Sequence, residues 1–418
     1  NTGFIPSPAV TLYGIKKQIP SIMVTGSHIP DDRNGIKFNL SIGEITKTDE
    51  IGIKKQTIKY DDLFDEQGYF KQLFQLDEIV PNARQYYIQR YTQLFTSTSL
   101  SSYRIGVYQH SGVARDILSE ILKGLGAEVI HLGRSEEFIP VDTEAIREED
   151  SQLAKKWVQE HKLDTLVSTD GDADRPLISD EQGNWLRGDS AGVLCAQYLG
   201  INHLSTPVSC NSNVELSQCF KTVSRTKIGS PYVIEGMQKF ETEEQKRIGG
   251  YEANGGFLLQ DKIDISDNSG SINDDKNELE PLPTRDAVIV ILSIIMAAKK
   301  NKSNISGLLK TLPERYTYSN RLKGIPKQKS NQLLKQFIQS DDLTNHQTIN
   351  SFFNQEYGQV ASVNTTDGVR ISFDSDVIIH IRPSGNAPEL RCYTEASTIE
   401  EAIQINNKVL VKIQQKID

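Results

Sequence analysis

At 418 residues, with 37% hydrophobic and 24% charged side chains, the chain has the composition of an ordinary globular protein and enough sequence for about three or four domains. A net charge of −9 argues against general nucleic-acid or anionic-membrane binding, while a local basic pocket for phosphate stays open. Cys195, Cys210, Cys219 and Cys392 make no CxxC pair and follow no signal peptide, which predicts a reducing, cytoplasmic setting; the longest apolar run, residues 287–298, is too short for a membrane span and predicts a buried helix.

The chain opens at Asn1 and reaches Pro6-Ser7-Pro8 before any predicted element. Residues 22–25 (IMVT) read as a strand, followed by Gly26-Ser27-His28-Ile29-Pro30 and then Asn34-Gly35-Ile36-Lys37. A serine just past a strand, beside glycine and histidine, suits a covalent nucleophile. Lys37, a short way on, suits an acid, a base or a phosphate clamp at the same site. In isolation the stretch reads better as a surface turn with an N-capping serine. It has no GxSxG elbow, and no Ser/His/Asp triad is legible among the scattered histidines.

Residues 60–95 read as helical and aromatic-rich, 104–109 as a strand, 114–125 as an amphipathic helix ending at Gly126, 128–132 as a strand and 143–161 as a helix. Residues 165–169 (TLVST) form the next strand, so the alternation predicts an α/β domain with its chemistry at strand ends. At that strand's end stands Asp170-Gly171-Asp172-Ala173-Asp174-Arg175, and residues 176–179 start another strand. Gly171 and Ala173 keep the loop narrow, so the three carboxylates converge as hard oxygen ligands suited to Mg2+. A solvated acidic turn is the alternative. A calcium loop is disfavoured, although Glu181 falls at its last ligand position, because Arg175 stands where that loop needs glycine and the flanks read as strands.

The alternation then restarts, with helices over 190–199, 214–220 and 232–240 and strands over 206–209 and 221–226, and residues 247–251 lead to the next loop. Glu252-Ala253-Asn254-Gly255-Gly256 reads either as a loop whose carboxylate and amide meet sugar hydroxyls or as a glycine turn with a solvated Glu. Residues 261–279 are polar and acidic and predict a mobile surface loop, after which Thr284 begins the apolar helix. Beyond Leu312, residues 367–373 and 377–381 predict a hairpin that runs into Arg382-Pro383-Ser384-Gly385-Asn386-Ala387-Pro388-Glu389-Leu390-Arg391, and 400–417 a closing helix. Two arginines flanking a Ser-Gly-Asn turn suit a phosphate cradle, or a hairpin turn with surface arginines.

Taken in order, Thr25-Gly26-Ser27-His28, Asp170 to Arg175, Glu252 to Gly256 and Arg382 to Arg391 resemble the four active-site loops of the alpha-D-phosphohexomutases, most of all the phosphomannomutase/phosphoglucomutase members. The resemblance spans essentially the whole chain. It implies three α/β domains with mixed sheets plus a smaller C-terminal α+β domain around a central cleft, divided at 1–84, 85–184, 185–312 and 313–418. It implies that Ser27 is the phosphoserine, with Ser27, Asp170, Asp172 and Asp174 holding Mg2+, and that His28, Lys37 and Arg175 belong to the catalytic set. By the same likeness Glu252 and Asn254 meet sugar hydroxyls, while Arg382, Ser384, Gly385, Asn386 and Arg391 hold the substrate's non-reacting phosphate.

The expected activity is interconversion of hexose 6-phosphate and hexose 1-phosphate, of mannose and/or glucose, with a hexose 1,6-bisphosphate as activator and intermediate. Its expected partners are small sugar phosphates, with neither nucleic acid nor membrane, and the sequence does not set an oligomeric state. A phosphoglucosamine mutase, a non-catalytic sugar-phosphate-binding protein and a metal-dependent phosphatase are the alternatives. Four departures matter. Gly26 and Ile29 stand beside Ser27-His28 where the family has Ala and Asn. Asn254 and Gly256 replace the Ser and His of a common Glu-x-Ser-Gly-His loop. Ser209 and Ser230 stand where related mutases often carry Lys and His. The strand and arginine-bearing loop that open the family's first domain have no counterpart here, so that domain is expected to be shortened by roughly several tens of residues.

Overall fold

The computed structural model describes residues 1–27, 34–60, 62–242, 244, 246–266, 277–338, 342–384 and 388–417. Four sheet-centred regions follow one another along the chain. In the first, helix α1 (Ser7–Lys17) has Pro8 in its opening turn, where a missing N–H costs nothing. Strands β1 (Ser21–Thr25), β2 (Gly35–Leu40) and β3 (Gly43–Glu44) form an antiparallel sheet, and helix α2 (Lys47–Lys54) follows. The pairs Ile22 with Phe38 and Val24 with Ile36 put apolar groups on one face of the β1–β2 hairpin, while Met23 with Lys37 share the other. That alternation aims Lys37 away from Ile22, Val24 and Ile36, which are more than half exposed. Of the helical stretch expected over 60–95, only α3 (Asn82–Thr92) is helix. Residues 65–80 are largely irregular, and the aromatics here pack on one another, Phe64 stacked on Phe70 and Phe70 edge-to-face with Phe74, rather than lining a helix face.

The second region comprises β4 (Arg104–His110), α4 (Arg115–Gly124), β5 (Glu128–Arg134), α5 (Glu148–His161), β6 (Thr165–Thr169) and β7 (Pro176–Ile178), with sheet order β5-β4-β6-β7. β4 runs parallel to β5 and β6, and β7 turns back antiparallel on β6, so the Asp170–Arg175 loop is a tight reversal at the sheet's carboxyl edge. Helix α5 begins later than its sequence pattern suggests, and residues 143–147 form a non-helical approach to it.

The third region contains α6 (Gly188–Tyr198), β8 (His203–Pro207), α7 (Asn213–Leu216), β9 (Thr222–Thr226), α8 (Ser230–Gln238), β10 (Ile248–Tyr251), β11 (Phe257–Leu259), β12 (Ile263–Asp264), β13 (Glu278–Leu279), β14 (Leu282–Asp286), α9 (Ala287–Lys300) and α10 (Ile305–Leu309). Its mixed sheet runs β14-β11-β10-β8-β9. Parts of the acidic 261–279 segment pair as β12 with β13, and residues 267–276 lie outside the described residues. Thr284 and Arg285 are in strand β14, not in the helix as expected; α9 starts at Ala287, where the Asp286 carboxylate accepts from Val288 N. Buried Asp286 is further satisfied by the hydroxyls of Tyr87 and Tyr91. Residues 287–298 are all buried, against α6 and β7 among others.

The fourth region is β15 (Tyr316–Lys323), α11 (Lys327–Lys335), α12 (Asp342–Phe352), β16 (Val360–Asn364), β17 (Val369–Phe373), β18 (Ile378–Pro383), β19 (Glu389–Ala396) and α13 (Ile399–Ile417), in an antiparallel sheet of order β15-β19-β18-β17-β16. One apolar core runs through the first three regions, from Ile5 to Leu312, whereas the fourth closes a core of its own. The two bodies are joined by polar contacts: Ser212 N to Glu395 (3.1 Å), Ile228 N to Asp367 Oδ2 (3.1 Å) and Arg187 Nη1 to Thr317 O (3.5 Å).

Candidate active site

The Asp170–Arg175 loop is closed by Asp170 N donating to Arg175 O (3.0 Å), while Asp174 N and Arg175 N donate to Asp170 Oδ1 at 3.2 Å each. Asp170, Asp172 and Asp174 are almost fully buried, and one oxygen from each lies within 4.8 Å of the others. Burial, then the neighbouring Asp172 and Asp174 charges, push the Asp170 carboxyl well above the ordinary range. Burial works the same way on Asp174, but Arg285, Lys37 and Arg175 outweigh it and hold that carboxyl below the ordinary range.

Ser27 reaches this loop directly, its Oγ donating to Asp170 Oδ2 at 2.7 Å. The approach needs Gly171, since a Cβ there would lie 2.4 Å from the Ser27 carbonyl oxygen. Ser27 itself takes a left-handed φ of 49°, which costs a non-glycine residue about 1 kcal/mol or more, and its N–H is held by Thr25 Oγ1 at 2.8 Å. Lys37 Nζ bridges Asp172 Oδ2 and Asp174 Oδ2 at 2.5 Å each. Burial pulls its ammonium down, but the two aspartates leave it raised overall. Ser7 at the start of α1 donates to Asp172 Oδ2 (2.7 Å), and Arg175 Nε lies 3.8 Å from Asp170 Oδ2 and 3.6 Å from Asp174 Oδ1. His28 lies outside the described residues.

Arg285, which carries no sequence motif, joins the acidic loop to the next one: Nη2 is 2.8 Å from Asp174 Oδ2 and Nη1 is 2.8 Å from Glu252 Oε2. The Glu252–Gly256 loop is a compact reversal in which Asn254 Oδ1 accepts from Gly256 N (2.9 Å) and the Asn254 carbonyl accepts from Thr143 Oγ1 (3.0 Å). Both Glu252 and Asn254 line the cleft, yet each already has an oxygen engaged in holding the loop. Of the two serines at departing positions, Ser230 donates to Glu44 Oε2 (2.6 Å), tying the first region to the third, and Ser209 lines a narrower neighbouring cavity.

Across the cleft, register places Arg321 of β15 opposite Arg391 of β19, and Arg391 opposite Arg382 of β18. Three like charges in one row across adjacent strands repel; Glu389, 3.3 Å from Arg321 Nε and 3.7 Å from Arg391 Nη2, offsets part of that repulsion, and a bound anion would relieve the rest. The buried Nε atoms of Arg382 and Arg391 have no hydrogen-bond partner among the described residues, although Arg382 Nε lies 3.5 Å from Asp367 Oδ1. Ser384 N donates to Glu389 O (2.8 Å) and closes the turn; Gly385 and Asn386 lie outside the described residues. Arg175, Glu252, Asn254, Arg285, Arg382, Ser384 and Arg391 all line one cleft of about 1110 Å³. The structure brings Ser27 and Lys37 to the three aspartates and places Arg382 beside Arg391; Arg285 and Arg321, which the sequence reading did not single out, join them through strand pairing between distant segments.

The acidic triad fits a divalent cation. Its donors are hard oxygens, the buried Oδ1 atoms of Asp172 and Asp174 accept no hydrogen bond among the described residues, and the site already draws one ammonium between two carboxylates. Glu181, the residue a calcium loop would recruit, is instead engaged by Ser306.

Sequence profiles for the four parts of phosphoglucomutase/phosphomannomutase proteins match in order: alpha/beta/alpha domain I over 1–63, domain II over 85–183, domain III over 187–316 and the C-terminal domain over 338–410. The chain belongs to the phosphoglucomutase/phosphomannomutase family. It is 45% identical over 415 residues to a phosphomannomutase of Salmonella muenchen, across 99% of this chain and 81% of that one. It is 40% identical over 400 residues to a phosphomannomutase of Sinorhizobium fredii, across 96% and 81%. The fold is shared with the N-acetylphosphoglucosamine mutase of Aspergillus fumigatus, solved in complex with GlcNAc-6P and magnesium, at a TM-score of 0.62 and 15% identity over 98% of this chain and 91% of that one. No helix among the described residues is long and apolar enough to cross a membrane.

Proposed function

We propose that the chain is a phosphohexomutase that interconverts hexose 6-phosphates and hexose 1-phosphates, of mannose and/or glucose, through a phosphoserine at Ser27 and a hexose 1,6-bisphosphate. The observation that carries this reading is the 2.7 Å contact of Ser27 Oγ with a buried three-aspartate loop, in a molecule whose cleft also bears the row of cradle arginines. Phosphoryl transfer needs alignment and neutralisation of charge more than covalent help from the protein. Asp170, Asp172 and Asp174 would hold Mg2+, which when bound offsets the negative charge on the phosphorylated serine. Arg175 and Lys37 add positive charge beside the same oxygens, and Lys37 is the group placed to move a proton there.

Arg382, Ser384 and Arg391 grip the phosphate that does not react, and because a bisphosphate carries one at each end, the same cradle serves both orientations of the turned intermediate. The protein works on these small sugar phosphates in the cytoplasm, a setting supported by its free cysteines. The test is turnover of mannose 1-phosphate and glucose 1-phosphate, with and without Ser27→Ala. Mutase activity that conserves phosphate and vanishes in the variant is expected. Steady release of inorganic phosphate would identify a phosphatase instead, and faster turnover of glucosamine 6-phosphate would move the substrate to an amino sugar.

A further inference from the structure

In the Glu252–Gly256 loop, expected to read the sugar, each polar side chain already has one oxygen engaged: Glu252 Oε2 is paired with Arg285, and Asn254 Oδ1 accepts from Gly256 N. A carboxylate with neither oxygen engaged among the described residues comes to the cleft from another region. Where the sequence pattern predicts the first turn of a helix, residues 142–144 form a turn at the cleft wall before α5. Asp142 Oδ1 accepts from Glu144 N (2.9 Å) and fixes that turn. Thr143 points inward, 4% exposed, and its hydroxyl donates to the Asn254 carbonyl at 3.0 Å, clamping the turn to the sugar loop. Glu144 is exposed to the cleft, and its carboxylate makes no hydrogen bond or ion pair among the described residues.

The position of Glu144 is central. It lies within electrostatic reach of Arg175 from the acidic loop, Glu252 from the sugar loop, Arg187 at the start of α6 and Arg391 from the cradle. It also borders the narrower cavity beside Ser209. We propose that Glu144 is a specificity-determining residue, accepting hydrogen bonds from a pair of sugar hydroxyls, with Asp142 and Thr143 as its positioning residues. This deepens the mutase reading and rests on it. A carboxylate suits a substrate that binds in two opposed orientations, because its two oxygens are equivalent acceptors and take a vicinal diol either way round. An amide, with one donor end and one acceptor end, would favour one orientation.

The test compares wild type, Glu144→Gln and Thr143→Val with Thr143→Ser as its conservative partner, using mannose 1-phosphate and glucose 1-phosphate and then the 2-, 3- and 4-deoxyglucose 1-phosphates. Glu144→Gln is expected to lower kcat/KM by about 10- to 100-fold, mainly through KM, and to lose that penalty on at least one deoxy analogue, where the hydroxyl it reads is gone. Thr143→Val should raise KM in the same direction and Thr143→Ser should restore it. A Glu144→Gln variant within about twofold of wild type, or one equally impaired on every deoxy analogue, overturns the proposal. If wild type turns over no hexose phosphate, the mutase reading fails. Calorimetric binding of glucose 1-phosphate and its deoxy analogues to wild type and Glu144→Gln then decides the role of Glu144 by the same pattern.

Discussion

The two charged ends of the cleft differ in how closely their charges are paired. At the Ser27 end, every aspartate of the loop is met by cations of the protein itself: Lys37, Arg175 and Arg285 converge on Asp170, Asp172 and Asp174 inside the core shared by the first three regions. At the cradle end, Arg321, Arg391 and Arg382 stand side by side in the sheet of a region with a separate core, and their carboxylate partners are more distant: Glu389, shared by Arg321 and Arg391 at 3.3 and 3.7 Å, and Asp367, 3.5 Å from Arg382. On the proposed assignment, the reacting end is organised before substrate arrives, whereas the holding end would be completed by the substrate's phosphate. That division suits a reaction in which chemistry happens in one place and the substrate is turned around.

The difference can be broken by substitution. Ser27→Ala should have the largest effect, lowering kcat by more than about a thousandfold, since it removes the hydroxyl proposed to carry the phosphate; a coupled assay for hexose 6-phosphate checks this. Arg285→Met should come next. It strands Glu252 as a buried unpaired charge and takes one of three cations from Asp174, which keeps Lys37 and Arg175, so both unfolding free energy and activity should fall, the former by about 3 kcal/mol in denaturant titration. Arg391→Met should cost far less stability in the absence of substrate. Its carboxylate partner Glu389 is 3.7 Å away and is shared with Arg321, so unfolding free energy should change by less than about 1 kcal/mol, while KM for hexose phosphates rises about 10- to 100-fold. If Arg285→Met and Arg391→Met lose stability equally, the two ends are not built differently.

The smallest effect at neutral pH belongs to His380, in the strand that carries Arg382. Burial drives its imidazole down to about 4 while its Nε2 contacts the Asp367 carbonyl at 2.6 Å. Because the folded value lies below the unfolded value of about 6.5, the neutral ring is favoured by folding. The fourth region should then lose up to about 3 kcal/mol as pH falls from about 6.5 to about 4, with no change above that window, and His380→Asn should flatten the profile. Acid unfolding followed by tyrosine fluorescence and hydrogen exchange of the fourth region would report it.

The acidic loop was legible in the sequence because its ligands are local: three aspartates and a glycine within one turn, between two apolar strands. The cradle was legible for the same reason at Arg382, Ser384 and Arg391. Arg285 was not, because it stands against an apolar run that reads as helix, and only the pairing of β14 with β11 makes it part of a strand facing the cleft. Arg321 owes its place to the register of β15 on β19, which no local pattern encodes. The helix expected from Thr143 failed because Asp142 and Thr143 spend their side chains on the backbone of Glu144 and Asn254. Residues 60–80 misled in another way: spaced aromatics imitate a helical stripe but here stack locally, with many of them exposed.

The central assignment, phosphate carried on Ser27 beside the Asp170 loop, is tested most directly by mapping phosphate on the protein. Protein freed of phosphate, given Mg2+ and glucose 1,6-bisphosphate, then digested and weighed by mass spectrometry, should carry one phosphoryl group on the peptide containing Ser27 and lose it when excess hexose monophosphate is added. Full mutase turnover by a chain whose Ser27 never carries phosphate would contradict the assignment.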